Sequence, residues 1–189
     1  PKKMTLVIVT AGEPEGLDIQ QVESSGIVHT LIYQPLGAFD SNMNVVPDLA
    51  SELILDVEGS AIIAKIPKDA KFSNGDPIDA YVVKATVERY LNLSPYAGDW
   101  AMLDHIEVLD KYTIKFVFNG SPNYVWTVNI PTEWGGIVNV KVAEEVGNAK
   151  FNELPIASGP FKVKEWVHGS HIILVKNEYY RTNLPFVKN

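Results

Sequence analysis

The spacing of apolar and polar positions divides the chain into short strands and a few helices. Residues 5–10 form an unbroken aliphatic and β-branched run, TLVIVT, which predicts a strand buried on both faces. Apolar residues at positions 27, 28, 31 and 32 have helical spacing. Residues 25–33 are therefore predicted as a helix, which Pro35 and Gly37 bring to an end.

A hairpin and a longer helix are predicted next. Residues 53–57 and 60–66 are apolar runs on either side of Glu58 and Gly59, which is typical of a β-hairpin. Asn74 and Gly75 indicate a turn. An apolar face at positions 83, 87, 90 and 91 predicts a helix over about residues 80–91, and the carboxylate of Asp79 suits its N-cap.

The second half of the chain has the same mixture of elements. The pattern predicts strands at 105–109 and 112–118, short helices at 121–128 and 140–146, a short strand at 136–138, and a hairpin made by 161–167 and 171–176. Helices and strands that intermix in this way predict a mixed α/β fold.

Composition removes several classes of function. The 189 residues are 46% hydrophobic and 21% charged, which is the balance of a globular protein with one large domain or two small ones. A net charge of −7 argues against nucleic acid as a partner, because phosphate binding needs a basic surface. The absence of cysteine excludes disulfides, thiol nucleophiles and thiolate metal sites.

Catalytic motifs are missing as well. The sequence has no nucleophile elbow, zinc-protease helix or phosphate-binding loop. Glu13 and Glu15 lie in a loop with glycine and proline, where solvent-facing carboxylates are expected rather than an acid pair. We expect structural roles for the four histidines, His29, His105, His168 and His171. The sequence therefore predicts no enzyme activity, no cofactor and no metal ligands.

Six short motifs occur in order along nearly the whole chain. They lie at residues 6–18, 32–36, 47–52, 71–77, 157–161 and 177–180. The most specific is KFSNGDP at 71–77, directly before a predicted helix. Together they resemble the family 5 extracellular solute-binding proteins, the peptide- and nickel-binding components of ABC transporters. Ile19 departs from this pattern, because the family usually has proline there.

The resemblance implies an architecture larger than this chain. It implies a two-lobed fold of the type II periplasmic-binding-protein kind that closes on its ligand about a hinge. Residues 1–44 and 156–189 would belong to the first lobe, and 45–155 would form a smaller inserted α+β domain. Because family members are more than twice this length, we expect the second lobe and the C-terminal return to be absent. The surface left uncovered would then favour self-association.

The resemblance also supplies candidate ligand-binding residues. Glu23, Ser24 and Ser25 match a segment that pairs its backbone with an extended peptide, although Ser24 and Ser25 also suit the N-cap of the following helix. Tyr96 and Trp100 match aromatic positions that line the ligand cleft, with packing inside the small domain as the alternative. Trp134 lies on a loop beside glycines, where either ligand contact or loop packing is expected.

Nickel is the weakest of the implied ligands. Relatives that hold a chelated metal have an arginine just after the proline that matches Pro131, and this chain has Thr132 there. Ile27 and Val22 replace a methionine and a tyrosine of those relatives. The metal site is therefore expected to be lost.

The predicted function is capture of oligopeptides or dipeptides outside the cell membrane and delivery to an ABC permease. The protein would be secreted, either periplasmic or anchored to the outer face of the membrane, with its signal segment outside this sequence. An oligosaccharide or another small solute is the alternative ligand. A signalling or adhesion module that uses the same fold is the alternative function.

Overall fold

Helices and strands intermix over residues 6–181, the part of the chain that the computed structural model describes. The helices are α1 (Ile27–Ile32), α2 (Ala80–Leu93), α3 (Asn123–Val128), α4 (Val140–Val146) and α5 (Asn148–Glu153). The strands are β1 (Gly37–Phe39), β2 (Val45–Pro47), β3 (Glu52–Asp56), β4 (Ala61–Lys65), β5 (Leu103–Asp110), β6 (Thr113–Phe118), β7 (Phe161–Val167) and β8 (His171–Lys176). These bounds confirm the predicted α1, α2, α3 and α4, the strands β5 and β6, and both predicted hairpins to within a few residues.

A four-stranded antiparallel sheet carries the larger of two apolar cores. Its strand order is β3-β4-β6-β5. Along β6 the buried positions alternate, so that Ile114, Phe116 and Phe118 face the core while the residues between them are partly exposed. Val83 and Tyr90 of α2 join the same cluster. One face of the sheet is therefore covered by the amphipathic helix that the sequence predicts.

The start of α2 is fixed by its predicted cap. The Asp79 carboxylate accepts hydrogen bonds from the backbone N–H groups of Tyr81 and Val82, at 3.0 and 3.1 Å. These are two of the donors that have no partner within a helix, so the carboxylate both satisfies them and complements the positive helix end. Just upstream, Gly75 adopts φ +92°, which confirms the turn at Asn74 and Gly75 and explains the need for glycine there.

A second apolar core lies below the N-terminal loop. Its fully or nearly fully buried members are Leu17, Ile19, Val22, Ile32, Tyr33, Val138, Ala143, Phe151 and Ala157. The β7–β8 hairpin packs against this core through Trp166 and Leu174. The core draws on residues from 1–44 and 156–189, the predicted first lobe, and from 45–155, the predicted inserted domain. This division of the chain stays a prediction.

The predicted strand at residues 5–10 is wrong for residues 6–10, and Thr5 lies outside the described residues. Residues 6–10 have no regular secondary structure, and the side chains of Leu6 and Val9 are 83% and 90% exposed. Among the described residues no strand pairs with this segment. A strand needs neighbouring backbone donors and acceptors, so β-forming side chains alone do not produce one.

Three smaller differences also have local causes. Residues 136–138 form only an isolated bridge between Val138 and Ala157 instead of a strand. The strands β1 and β2 have three residues each, too few to show a periodicity, and the sequence pattern misses them. It also misses the six-residue helix α5. Gly147, at φ +85°, ends α4 as predicted and lets α5 begin at once.

Candidate functional site

The segment Glu23–Ser24–Ser25 lies on the surface between the second core and α1. Glu23 and Ser24 are exposed and Ser25 is partly exposed. The backbone N–H of Glu23 donates to the Glu15 carboxylate at 3.0 Å, and its carbonyl accepts a hydrogen bond from the Tyr96 hydroxyl. The segment is therefore held at its first residue by side chains from two other parts of the chain.

The next two residues keep their backbone groups available. Among the hydrogen bonds of residues 6–181, none involves the backbone N–H or C=O of Ser24 or Ser25. Gly26, which is extended at φ −143° and ψ 179°, is the N-cap of α1, and the His29 ring accepts from its N–H. The serine hydroxyls therefore do not cap α1, in contrast to the alternative interpretation of the sequence.

Two of the predicted aromatic residues meet beside this segment. The rings of Tyr96 and Trp134 pack edge to face, with centroids 5.0 Å apart and planes at 71°. Tyr96 is 38% exposed, and Trp134 is partly exposed. Because the Tyr96 hydroxyl also holds the Glu23 carbonyl, the aromatic pair and the exposed segment form one surface.

Trp100 lies elsewhere, inside the larger core. It is only 5% exposed and packs on Phe116 and Phe118, with ring centroids 5.5 and 6.3 Å away. This position matches the packing alternative for Trp100 rather than a place on the cleft surface. A small cavity of about 20 Å³ separates Trp100 from Trp134, and the two indoles share its lining.

The loop that carries Trp134 also adds a carboxylate that the sequence interpretation missed. Glu133 Oε1 accepts a hydrogen bond from the Ser25 hydroxyl at 2.6 Å. The close approach of the loop depends on Gly135, since a Cβ at that position would overlap the carbonyl oxygen of Asn129. Only the acidic character of Glu133 could have drawn attention to it, because Ser25 and Glu133 are 108 positions apart in sequence.

An open cavity of about 250 Å³ lies on the other side of Glu133. The polar residues in its lining are Thr30, Tyr33, Gln34, Asp48, Thr132, Glu133 and Tyr180. Asp48 Oδ1 already accepts from the Gln34 side chain at 2.8 Å. Residues of α1 and of the loop that carries Trp134 both line this cavity.

A buried ion pair fixes the N-terminal loop beneath this surface. Arg89 of α2 contacts Asp18 Oδ2 at 2.6 Å, with side chains only 9% and 0% exposed. The guanidinium also donates to Gln20 Oε1 at 2.6 Å and to Asn148 Oδ1 at 3.1 Å. Asp18 accepts in addition from the side-chain amide of Gln21 at 2.7 Å. Residues 18–21 are therefore tied to α2 and α5, which sets the path of the chain into Glu23.

His29 supports the other end of the segment. Its Nδ1 accepts from the Gly26 N–H, so its Nε2 carries the proton and donates to the Gly16 carbonyl at 3.0 Å. Burial lowers the pKa of His29 below its usual value, which keeps the ring neutral in this tautomer. The expected structural role of His29 agrees with these contacts.

The remaining histidines and the N-terminal glutamates form surface contacts. His168 bonds both Glu13 and Glu153, at 2.9 and 2.8 Å, and Glu13 also accepts from Trp166 Nε1 at 2.7 Å. Desolvation opposes ionisation of Glu13, but hydrogen bonds from the Gly169 N–H, Trp166 and His168 lower its pKa. A carboxyl held ionised in this way is unsuited to act as a general acid.

Residues 6–181 contain neither a candidate membrane span nor a candidate metal cluster. No helix in this range is long and apolar enough to cross a bilayer. No group of three or more histidine, aspartate or glutamate side chains in the same range is arranged to hold a metal ion.

Known proteins with similar sequences and structures bind solutes. The chain is 28% identical to the probable D,D-dipeptide-binding periplasmic protein DdpA of Escherichia coli (strain K12), over 100% of this chain and 38% of the relative. It is 29% identical to the oligopeptide-binding protein AppA of Bacillus subtilis (strain 168), over 96% of this chain and 35% of the relative. The chain thus spans little more than a third of the length of these relatives.

Solved structures show the same fold. The structure of AppA from Bacillus subtilis in complex with a nonapeptide matches with a TM-score of 0.78 at 26% identity, over 90% of this chain and 36% of that chain. NikZ from Campylobacter jejuni in complex with Ni(L-His) matches with a TM-score of 0.77 at 23% identity, over 89% and 34%. The described part of the chain therefore has the α/β fold found in two-lobed periplasmic binding proteins.

A sequence model of one family covers most of the chain. Residues 44–189 match the model described as bacterial extracellular solute-binding proteins, family 5 middle. This is a family of substrate-binding proteins. The matched region contains the KFSNGDP motif at 71–77, which carried the resemblance in the sequence. The chain belongs to the family 5 bacterial extracellular solute-binding proteins.

Proposed function

We propose that this chain contributes a ligand-binding lobe to a solute-binding protein that captures peptides outside the cell membrane and delivers them to an ABC permease. The names of DdpA and AppA, which refer to dipeptide and oligopeptide binding, support the peptide class. The protein performs no catalytic step in this role, needs no cofactor, and works in the periplasm or at the outer face of the membrane. A second lobe, outside this chain, closes over the ligand.

The observation that carries the proposal is the exposed backbone at Ser24 and Ser25. Within residues 6–181 its N–H and C=O groups have no partner, while Glu15 and Tyr96 hold the preceding residue in place. An extended peptide adds to such a segment through main-chain hydrogen bonds, which are independent of the peptide's side chains. The small side chains of Ser24 and Ser25 allow the close approach that this pairing needs.

The aromatic pair supplies the second part of the site. Tyr96 and Trp134 stand beside the segment and are braced by each other, so a ligand that contacts them does not have to order them first. Trp100 is left out of the proposed set because it packs inside the larger core and is only 5% exposed. The proposed ligand-contacting set is Glu23, Ser24, Ser25, Tyr96 and Trp134.

A test should separate backbone pairing from side-chain contact. In the full-length protein, Ser24→Ala should leave peptide affinity within about 2-fold, because the backbone is unchanged. Ser24→Pro should weaken it by about 10-fold or more, because the N–H is lost and φ is fixed. Isothermal titration calorimetry with alanine-rich tripeptides to pentapeptides measures both effects. Equal urea midpoints for the two variants would show that the fold is intact.

The ligand offers a matched experiment. Peptides carrying a single N-methyl group should lose affinity at those positions whose N–H pairs with the segment, and retain it at the alternate positions that face away. A uniform tolerance of N-methylation would refute backbone pairing. A sugar or other non-peptide solute as the sole molecule released from the purified full-length protein, identified by native mass spectrometry, would favour the alternative ligand class.

A further inference from the structure

The carboxylate of Glu133 is partly buried, and its interactions within residues 6–181 are incomplete. Oε1 accepts from Ser25, and no described residue bonds Oε2 or forms an ion pair with Glu133. Glu133 is partly buried, so water compensates its charge only in part. An acceptor of this kind is stabilised by a cation more than by a neutral donor.

The cavity beside Glu133 is large enough for a cationic side chain, and its charged lining residues are acidic. It has a volume of about 250 Å³ and opens to solvent, which admits an alkylammonium or guanidinium chain. No lysine, arginine or histidine belongs to its lining among the described residues. The other acidic residue there, Asp48, is engaged by Gln34, so Glu133 is the free acceptor. The net charge of −7 adds a field that favours cations.

Ser25 connects the carboxylate to the proposed peptide-pairing segment. Its backbone is one of the free positions, and its hydroxyl fixes one oxygen of Glu133 at 2.6 Å. A ligand that pairs with Ser25 therefore passes the carboxylate at short range, and the bond from the hydroxyl limits the rotamers that Glu133 can adopt. The loop geometry imposed by Gly135 keeps Glu133 at this place.

We propose that Glu133, in the cavity bordered by Thr30, Gln34 and Thr132, is a specificity determinant that binds a cationic nitrogen group of the ligand. This inference rests on the proposed solute-binding function and adds the charge of the preferred ligand. The group is either the free α-ammonium of a peptide or the side chain of a lysine or arginine. Both sources offer the same chemistry to the carboxylate.

Calorimetry on the full-length protein tests the proposal with matched ligands. Ala-Lys-Ala is compared with Ala-norleucine-Ala, and Ala-Ala-Ala with its N-acetyl form, each against wild type, Glu133→Gln and the control Glu58→Gln in the exposed β3–β4 turn. Glu133→Gln should weaken the cationic member of at least one pair by about 10- to 100-fold and its neutral partner by less than about 3-fold. The pair that responds identifies the source of the cation.

Other outcomes refute the cation site at Glu133, or show whether the cation site or the proposed peptide binding has failed. Equal effects of Glu133→Gln on charged and neutral partners, or no effect on either, overturn the cation site even when peptides bind well. If wild type binds no peptide, the peptide class fails, and arginine against citrulline then provides the test. A preference for arginine that Glu133→Gln abolishes supports the site without peptides, whereas the absence of such a preference overturns it.

Discussion

The buried pair between Arg89 and Asp18 is the contact whose loss should affect the fold most. The guanidinium has Asp18 Oδ2 at 2.6 Å, Asp18 Oδ1 at 3.3 Å and Gln20 Oε1 at 2.6 Å, and it lies 5.6 Å from the centroid of the Phe151 ring. Arg89→Met keeps most of the apolar stem and removes the charge. It leaves the fully buried Asp18 carboxylate without its cation, supported only by neutral donors.

The expected cost follows from this burial. Removing one partner of a buried pair typically destabilises a protein by about 3–5 kcal/mol, because the other charge stays desolvated. Asp18→Asn should cost less than Arg89→Met, since Arg89 is 9% exposed and can turn towards water. The double variant should cost less than the sum of the two single variants, because it removes both charges together.

Equilibrium urea unfolding, followed by tryptophan fluorescence, measures these free energies. A loss of about 3–5 kcal/mol corresponds to a fall of roughly 1–5 M in the urea midpoint for m-values of about 1–3 kcal/mol/M. Lys84→Met is the matched control on the same helix, because Lys84 forms only an exposed pair with Glu88 at 3.7 Å and should cost less than about 0.5 kcal/mol. A cost below about 1 kcal/mol for Arg89→Met would refute the argument that this pair anchors the N-terminal loop.

Three other predictions concern the cap, a titrating contact and the site loop. Asp79→Ala should lower the free energy of unfolding by about 1 kcal/mol in urea titrations while Asp79→Ser retains most of it, and equal losses in both would exclude a capping role. The His168 pKa should lie above its usual 6.5, chiefly because of the hydrogen bond with Glu153, and should fall in Glu153→Gln when NMR follows the ring protons. Because the folded pKa is raised, the stabilisation from His168 is complete below pH 6.5 and is lost as pH rises through the folded value, whereas an NMR pKa at or below 6.5 would contradict the contact. Gly135→Ala should cost about 1–3 kcal/mol and weaken ligand binding by displacing the site loop, whereas Gly98→Ala, with open space around its Cβ, should be tolerated in the same assays.

The sequence pattern predicts well those elements that neighbouring residues decide. The cap at Asp79, the turn at Gly75 and the stop at Gly147 each depend on the conformational or hydrogen-bonding preference of one residue. The hairpin β7–β8 similarly depends on Gly169, at φ +69°, between two alternating runs. The ordered motifs also predicted the family. One of them, at residues 71–77, contains the turn at Gly75 and lies just before the cap at Asp79.

Contacts between distant positions had to come from tertiary structure. Glu23 and Tyr96, 73 positions apart, and Ser25 and Glu133, 108 positions apart, form the candidate site, and no local preference indicates that they meet. Trp100 and Trp134 were both candidate ligand contacts in sequence, yet one packs in the core and the other stands beside the exposed segment.

The strand predicted at residues 6–10 is absent for the same reason, since its formation depends on a distant partner strand and not on local preference. The sequence by itself determined the local elements, the family and the absence of thiol chemistry. The tertiary structure decided which backbone remains unpaired and which carboxylate stands beside it. The reason is physical: helices, turns and caps are stabilised within a few residues, whereas a strand, a cavity or an ion pair exists only when remote parts of the chain supply its other half.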